Sequence, residues 1–160
     1  MEIIIEEYKT KKEMYAHICE QLKEITEPEE EEVAVLANTS ALLKMFLDQT
    51  NWVGFYLWKK EQLVLGPFQG KPAVTRIEKG QGVCGTAVLE EKLQRVDDVH
   101  SCCNHIACDF ASASEIVVPI WKKGELFGVL DIDSPIEARF DGEDEEGLLE
   151  VTKLLSELLA

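Results

Sequence analysis

Two cysteines and three acids in the second half of the chain are the residues best placed to do chemistry. Cys84 stands in the glycine-bracketed stretch Gly82-Val83-Cys84-Gly85-Thr86, and Cys108 in His105-Ile106-Ala107-Cys108-Asp109. Glu115 opens one apolar run, and Asp131-Ile132-Asp133 closes another. A thiol-based redox reaction needs this combination, because a thiolate attacks and a nearby acid supplies the proton. A plain structural core has little use for acids written into strand-like sequence.

Each residue also has a duller explanation. Cys84 is expected at the start of a short helix, where backbone N–H groups and the helix dipole lower a thiol pKa; it could equally be a small core residue. Cys108 falls in a polar loop beside Asp109, where packing is a weaker explanation. Asp131 and Asp133 are separated by one residue, so on a strand both carboxylates share a face and Ile132 turns to the core. Glu115, across a hairpin, would join them, and three clustered carboxylates raise one another's pKa until one holds a proton near neutrality. Any one of these acids alone would read as a solvated sheet edge. Trp52 and Tyr56 also share a strand face and could wall a small-ligand pocket, although aromatics more often simply pack. His100, Cys102, Cys103, His105 and Cys108 are metal-ligand types, yet adjacent Cys102 and Cys103 suit a tetrahedral zinc poorly. A Cys–His hydrolase using Cys108 lacks an orienting pattern.

The elements that must position these groups follow from periodicity. Apolar spacing predicts a helix over 10–26, and Pro28 opens a second helix that runs to Gln49. Trp52 to Trp58 and Leu63 to Phe68 form a hairpin across Lys59-Lys60-Glu61. A short strand is expected within 73–77 and a short helix from Val83 to Glu90. Val96 to Ala113 reads as one long loop, a length that usually signals function. Glu115 to Trp121 and Glu125 to Asp133 make a second hairpin, and a closing helix starts near Phe140. Hairpins with helices on one face predict an α+β fold around an antiparallel sheet, with the helices at both chain ends packed together.

Composition narrows the classes. A chain of 160 residues that is 46% hydrophobic and 29% charged is expected to form one globular domain, here an N-terminal helical extension over 1–27 and a core over 28–160. A formal charge of −15 argues against nucleic acid, which needs clustered cations. No apolar run approaches the ~20 residues of a membrane helix, and acids follow Met1 where a signal peptide is basic, so a cytoplasmic protein is expected. In that compartment the cysteines Cys19, Cys84, Cys102, Cys103 and Cys108 rest as thiols rather than as a disulfide scaffold.

The sequence resembles the free methionine-(R)-sulfoxide reductases, which are built on a GAF domain. The resemblance runs from about Ala34 to Leu155 and rests on several blocks. These are Leu36-Ala37-Asn38-Thr39-Ser40-Ala41-Leu42-Leu43, Asn51-Trp52-Val53-Gly54-Phe55-Tyr56, Leu65-Gly66-Pro67-Phe68-Gln69-Gly70-Lys71, and Gly80-Gln81-Gly82-Val83-Cys84-Gly85-Thr86-Ala87. The Cys108 stretch, Ser114-Glu115-Ile116-Val117-Val118-Pro119 and Gly128-Val129-Leu130-Asp131-Ile132-Asp133-Ser134 complete the set. The resemblance implies a single GAF domain, its antiparallel sheet flanked by N- and C-terminal helices and completed by a long active-site loop. It makes Cys108 the attacking thiol and Cys84 the resolving one. Glu115, Asp131 and Asp133 become the acid and substrate-binding groups, and Trp52 and Tyr56 the pocket wall. It further implies free methionine sulfoxide as substrate, thioredoxin or a similar dithiol as reductant, a homodimer, and no bound metal or organic cofactor. Many members carry another cysteine where this chain has Val74, which leaves Cys84 to resolve alone. The competing expectation is a GAF domain that only senses a small molecule; a sensor is normally joined to an output domain, for which this chain has no room.

Overall fold

The structure, a computed structural model, describes residues 2–3, 7–27, 31–101 and 112–159. Six strands form one antiparallel sheet: β1 (Trp52–Lys59), β2 (Gln62–Gln69), β3 (Arg76–Glu78), β4 (Gln94–Val96), β5 (Ser114–Lys122) and β6 (Glu125–Ser134), in the spatial order β3-β2-β1-β6-β5-β4. The helices are α1 (Lys11–Thr26), α2 (Glu32–Phe46), α3 (Gly82–Glu90) and α4 (Gly142–Leu158).

Strand alternation divides the core in two. On one face Val53, Phe55, Ile116, Val118, Ile120, Leu130 and Ile132 join Ile18, Leu22, Leu43, Leu148 and Leu155 from α1, α2 and α4. Each fully buried aliphatic side chain there contributes about 1.5–3 kcal/mol. On the other face Trp52, Tyr56, Val117 and Val129 pack with Val83, Cys84, Ala87 and Val88 of α3. Helices from both chain ends therefore do pack together, and α3 covers the opposite face of the sheet.

The end helices are tied by a buried carboxylate. Asp144 accepts from Tyr15 Oη at 2.7 Å and from Lys11 Nζ at 2.7 Å, and Arg139 lies 3.5 Å away. Asp141 and Asp144 also form a reciprocal cap at the start of α4. Burial, with the Asp144 charge beside it, holds the Tyr15 hydroxyl far above its usual pKa.

Both hairpins turn through two residues, Lys60-Glu61 in place of the expected Lys59-Lys60-Glu61, and Lys123-Gly124, all with positive φ. Such left-handed pairs match the twist of the strands they join. Helix α2 stops at Phe46 and not at Gln49, because Leu47 is already extended and Gln49 is left-handed. The expected loop from Val96 begins after a short strand, since Gln94, Arg95 and Val96 pair with Val117, Ile116 and Glu115. Among the described residues no helix is long and apolar enough to cross a membrane.

Candidate active site

Sheet register brings the acids together. Glu115 on β5 stands opposite Asp133 on β6, and Asp133 and Asp131 stand opposite Trp52 and Gly54 on β1. All three acids face α3, while Ile116, Leu130 and Ile132 between them enter the helix-side core. Glu115, Asp131 and Asp133 are only 5%, 6% and 8% exposed, so the spacing of the two aspartates marks a buried cluster and not a solvated edge.

Cys84 closes the cluster from above. Gly82, with φ of 63°, begins α3, and Cys84 is the third residue of its first turn. The helix is fixed against β3 by hydrogen bonds from Gly80 N–H to the Gly85 carbonyl and from Gln81 N–H to the Glu78 carbonyl. One donor atom from each of Cys84, Glu115 and Asp131 lies within 4.8 Å of the others. Together with Tyr56, Val74, Asp133 and the start of α3 they line a small, partly open cavity of about 20 Å³.

Burial dominates the electrostatics. It pushes Glu115 and Asp131 well above the ordinary carboxylate range, and neighbouring carboxylate charge, from Asp133 on Glu115 and from Glu115 on Asp131, adds to it. Asp131 Oδ1 is buried and accepts from no donor of the described residues. A proton within the cluster answers both facts, because it removes a charge and supplies a donor. The same environment reverses the expectation for Cys84. Burial first, then the charges of Asp131, Glu115 and Asp133, holds its thiol well above the usual value. The helix N-terminus is outweighed because the acids come from two strands that the local sequence does not see. Cys84 thus rests as a thiol, with Asp131 in hydrogen-bonding reach.

The aromatic wall is present and larger than expected. Trp52 stacks on Tyr56 at 5.9 Å between centroids and on Phe68 at 5.1 Å. Trp52 Nε1 donates to the Lys71 carbonyl and Tyr56 Oη to the Val74 carbonyl. Phe68 was not singled out by the sequence reading, although it lies in a conspicuous block; a bulge gives β2 one extra residue and swings Phe68 opposite Gly54. A β-carbon at Gly54 would sit 2.3 Å from Phe68 Cβ, so glycine is required for this contact. Val74 lines the same cavity as Cys84.

Of the sequence-derived site residues, the structure brings together Cys84, Glu115, Asp131 and Asp133, with Tyr56 on the cavity wall and Trp52 stacked behind it. Cys108 lies outside the described residues, as do Cys102, Cys103, His105 and Asp109. His100, the remaining member of the metal-type cluster, is exposed, its backbone N–H bound to Asp98 Oδ1. Cys19 packs against the helix-side core.

Comparison with known proteins agrees with this geometry. The GAF domain family matches residues 12–159. The chain is 51% identical over 150 residues to the free methionine-R-sulfoxide reductase of Escherichia coli, covering 94% of this chain and 91% of that one. Among solved structures it resembles the fRMsr of Staphylococcus aureus in complex with substrate, at TM-score 0.87 and 52% identity, covering 91% and 95% of the two chains. It also resembles free methionine-R-sulfoxide reductase from Neisseria meningitidis with its substrate, at TM-score 0.93 and 41% identity, covering 99% and 96%.

Proposed function

The chain belongs to the GAF-domain family and, within it, to the free methionine-R-sulfoxide reductases, and from that premise we propose that it reduces free L-methionine-(R)-sulfoxide to L-methionine. The observation that carries the proposal is the buried cluster of Cys84, Glu115, Asp131 and Asp133 beside the stacked Trp52, Tyr56 and Phe68. The Cys108 thiolate attacks the sulfoxide sulfur, and a protonated carboxyl of the cluster delivers its proton to the departing oxygen. Methionine leaves, and Cys108 keeps the oxygen as a sulfenic acid. The Cys84 thiol then condenses with it, releasing water and forming a Cys84–Cys108 disulfide. Thioredoxin or a similar dithiol reduces that bond and returns both thiols.

Raised carboxyl pKa values support the acid step, since they keep a proton available at neutral pH. A high Cys84 pKa suits a thiol that waits until a sulfenic acid forms. The carboxylates left ionised suit the ammonium group of a free amino acid, and a loop closed over them would exclude peptide-bound residues. The cavity of about 20 Å³ admits one oxygen but not a whole amino acid, so substrate binding widens it. Val74 supplies no thiol at its position on the cavity wall, and Cys84 is proposed to resolve alone. The cycle calls for no bound metal or organic cofactor, and the protein is proposed to work in the cytoplasm as a homodimer.

The test is NADPH consumption in a thioredoxin and thioredoxin-reductase coupled assay on the free R form, the free S form and a peptide sulfoxide. Turnover on the free R form alone is expected. Cys108→Ser should abolish it, and Cys84→Ser should permit one turnover without recycling. Multiple turnover by Cys84→Ser would overturn the resolving role. No turnover on any substrate by folded, reduced protein would return the chain to a ligand-sensing role.

A further inference from the structure

The cavity beneath α3 is dimensioned for an ion. It holds about 20 Å³, little more than a single water needs. One thiol and two carboxylates, all buried, present donor atoms within 4.8 Å of one another. Asp131 lines this space and is only 6% exposed, and its buried Oδ1 accepts no hydrogen bond from a described donor. A cluster proton satisfies such an oxygen when the site is empty and a cation can replace that proton, while the formal charge of −15 on the chain raises the local concentration of cations.

We propose that the reduced protein binds one dissociable Zn²⁺ ion between Cys84 Sγ, Glu115 and Asp131, and that the ion withdraws Cys84 from thiol chemistry. The donor set selects the metal class. One sulfur with two oxygens at a small pocket suits borderline-soft, four-coordinate Zn²⁺, whereas Mg²⁺ and Ca²⁺ take all-oxygen shells of six or more. Zinc–sulfur and zinc–oxygen bonds of about 2.3 and 2.0–2.2 Å place tetrahedral donors roughly 3.2–3.8 Å apart. From separations of at most 4.8 Å the three groups close by no more than about 1–1.6 Å to reach that geometry, and a water completes the shell. Binding releases to solvent both the Cys84 proton and the proton held on the Glu115–Asp131 carboxyls, and converts the thiol to a metal thiolate with no change of oxidation state. The ion site stands on donor geometry alone; only the expectation that bound zinc stops turnover rests on the proposed reduction.

Zn²⁺ affinity measured against a chromophoric chelator, with a phosphine holding the thiols reduced, tests the site directly. The variant Cys19→Ser/Cys102→Ser/Cys103→Ser/Cys108→Ser keeps Cys84 as its sole thiol and should still bind one Zn²⁺ per chain. Cd²⁺ titration of that variant should show the ultraviolet charge-transfer band of a single thiolate. Alkylation of its Cys84 by N-ethylmaleimide should slow at least ~10-fold at saturating Zn²⁺. In the otherwise unaltered chain Asp131→Asn and Cys84→Ser should each weaken binding by ~100-fold or more, with circular dichroism confirming a folded chain. Zinc binding lost from the single-thiol variant yet unchanged in Cys84→Ser would assign the ion to the other cysteines and overturn the proposal. No binding to any folded form would overturn it equally.

Discussion

Replacing Asp131 by asparagine should flatten the dependence of stability on pH, by an amount set by proton linkage. Burial holds Glu115 and Asp131 well above the ordinary carboxylate range, whereas both titrate near ~4 when the chain unfolds. Above that point the unfolded chain has released protons that the folded chain still holds. Stability is therefore complete below the unfolded pKa and is lost as pH rises toward the folded values. Each proton that the folded cluster keeps and the unfolded chain has released costs about 1.4 kcal/mol for every pH unit over which it is kept. Summed over the units kept, that is a sizeable share of the ~5–15 kcal/mol that holds a domain together. Because the carboxyls interact, the slope counts protons on the cluster and not on one oxygen.

Asparagine keeps the shape of aspartate and titrates nothing. Any mismatch in its hydrogen bonds is independent of pH, so it shifts the whole curve and leaves the slope as the clean readout. Urea unfolding at ~pH 5, 6, 7 and 8 gives that slope for wild type, Asp131→Asn and Glu115→Gln/Asp131→Asn. Contributions common to all three proteins cancel between variants. Wild type should lose stability most steeply, Asp131→Asn less, and the double variant least. Parallel curves for wild type and Asp131→Asn would refute the claim that the folded cluster keeps a proton.

Three further expectations follow from contacts elsewhere. A β-carbon at Gly147 would meet the Tyr15 ring at 2.1 Å, so Gly147→Ala should cost about 1–3 kcal/mol by overpacking, measured by urea unfolding. Tyr15→Phe removes the 2.7 Å bond to Asp144 but leaves Lys11 and Arg139 beside it, so the loss should fall near 1.5 kcal/mol, the low end for bonds to charged groups. Gly54→Ala pushes a β-carbon into Phe68 and the Trp52 ring, at 2.3 and 2.9 Å; it should raise KM for free methionine sulfoxide ~10-fold, as a loss of about 1.4 kcal/mol in binding, while steady far-ultraviolet circular dichroism shows the sheet intact.

What the sequence made legible was local. Alternation around Ile132 put Asp131 and Asp133 on one face, and the hairpin turn at Lys123-Gly124 carried Glu115 to them. Helix periodicity located α1 and α4 and their apolar faces. What it hid depended on distant partners. β4 is three residues with no alternation of its own and is a strand only because β5 offers an edge. Phe68 joins the wall through a bulge that no composition marks. Cys84 was misjudged for the same reason: a helix N-terminus is visible in sequence, whereas three carboxylates arriving from β5 and β6 are a product of the sheet order.

That sheet order also explains how the fold tolerates the acids. β6 lies between β1 and β5, so both edges of its backbone are hydrogen-bonded and neither neighbour is free to shift. Leu130 and Ile132 anchor it in the helix-side core, and each contributes about as much burial energy as one retained proton costs over about one to two pH units. A one-residue slip would drive Asp131 and Asp133 into that core and eject both aliphatic side chains, so the register is strongly specified. The acids are therefore held close to one another against their own repulsion by residues that alternate with them. An edge strand could not do this, since it would relieve the strain by peeling toward water. Proton storage at this site and the central position of β6 are one structural decision.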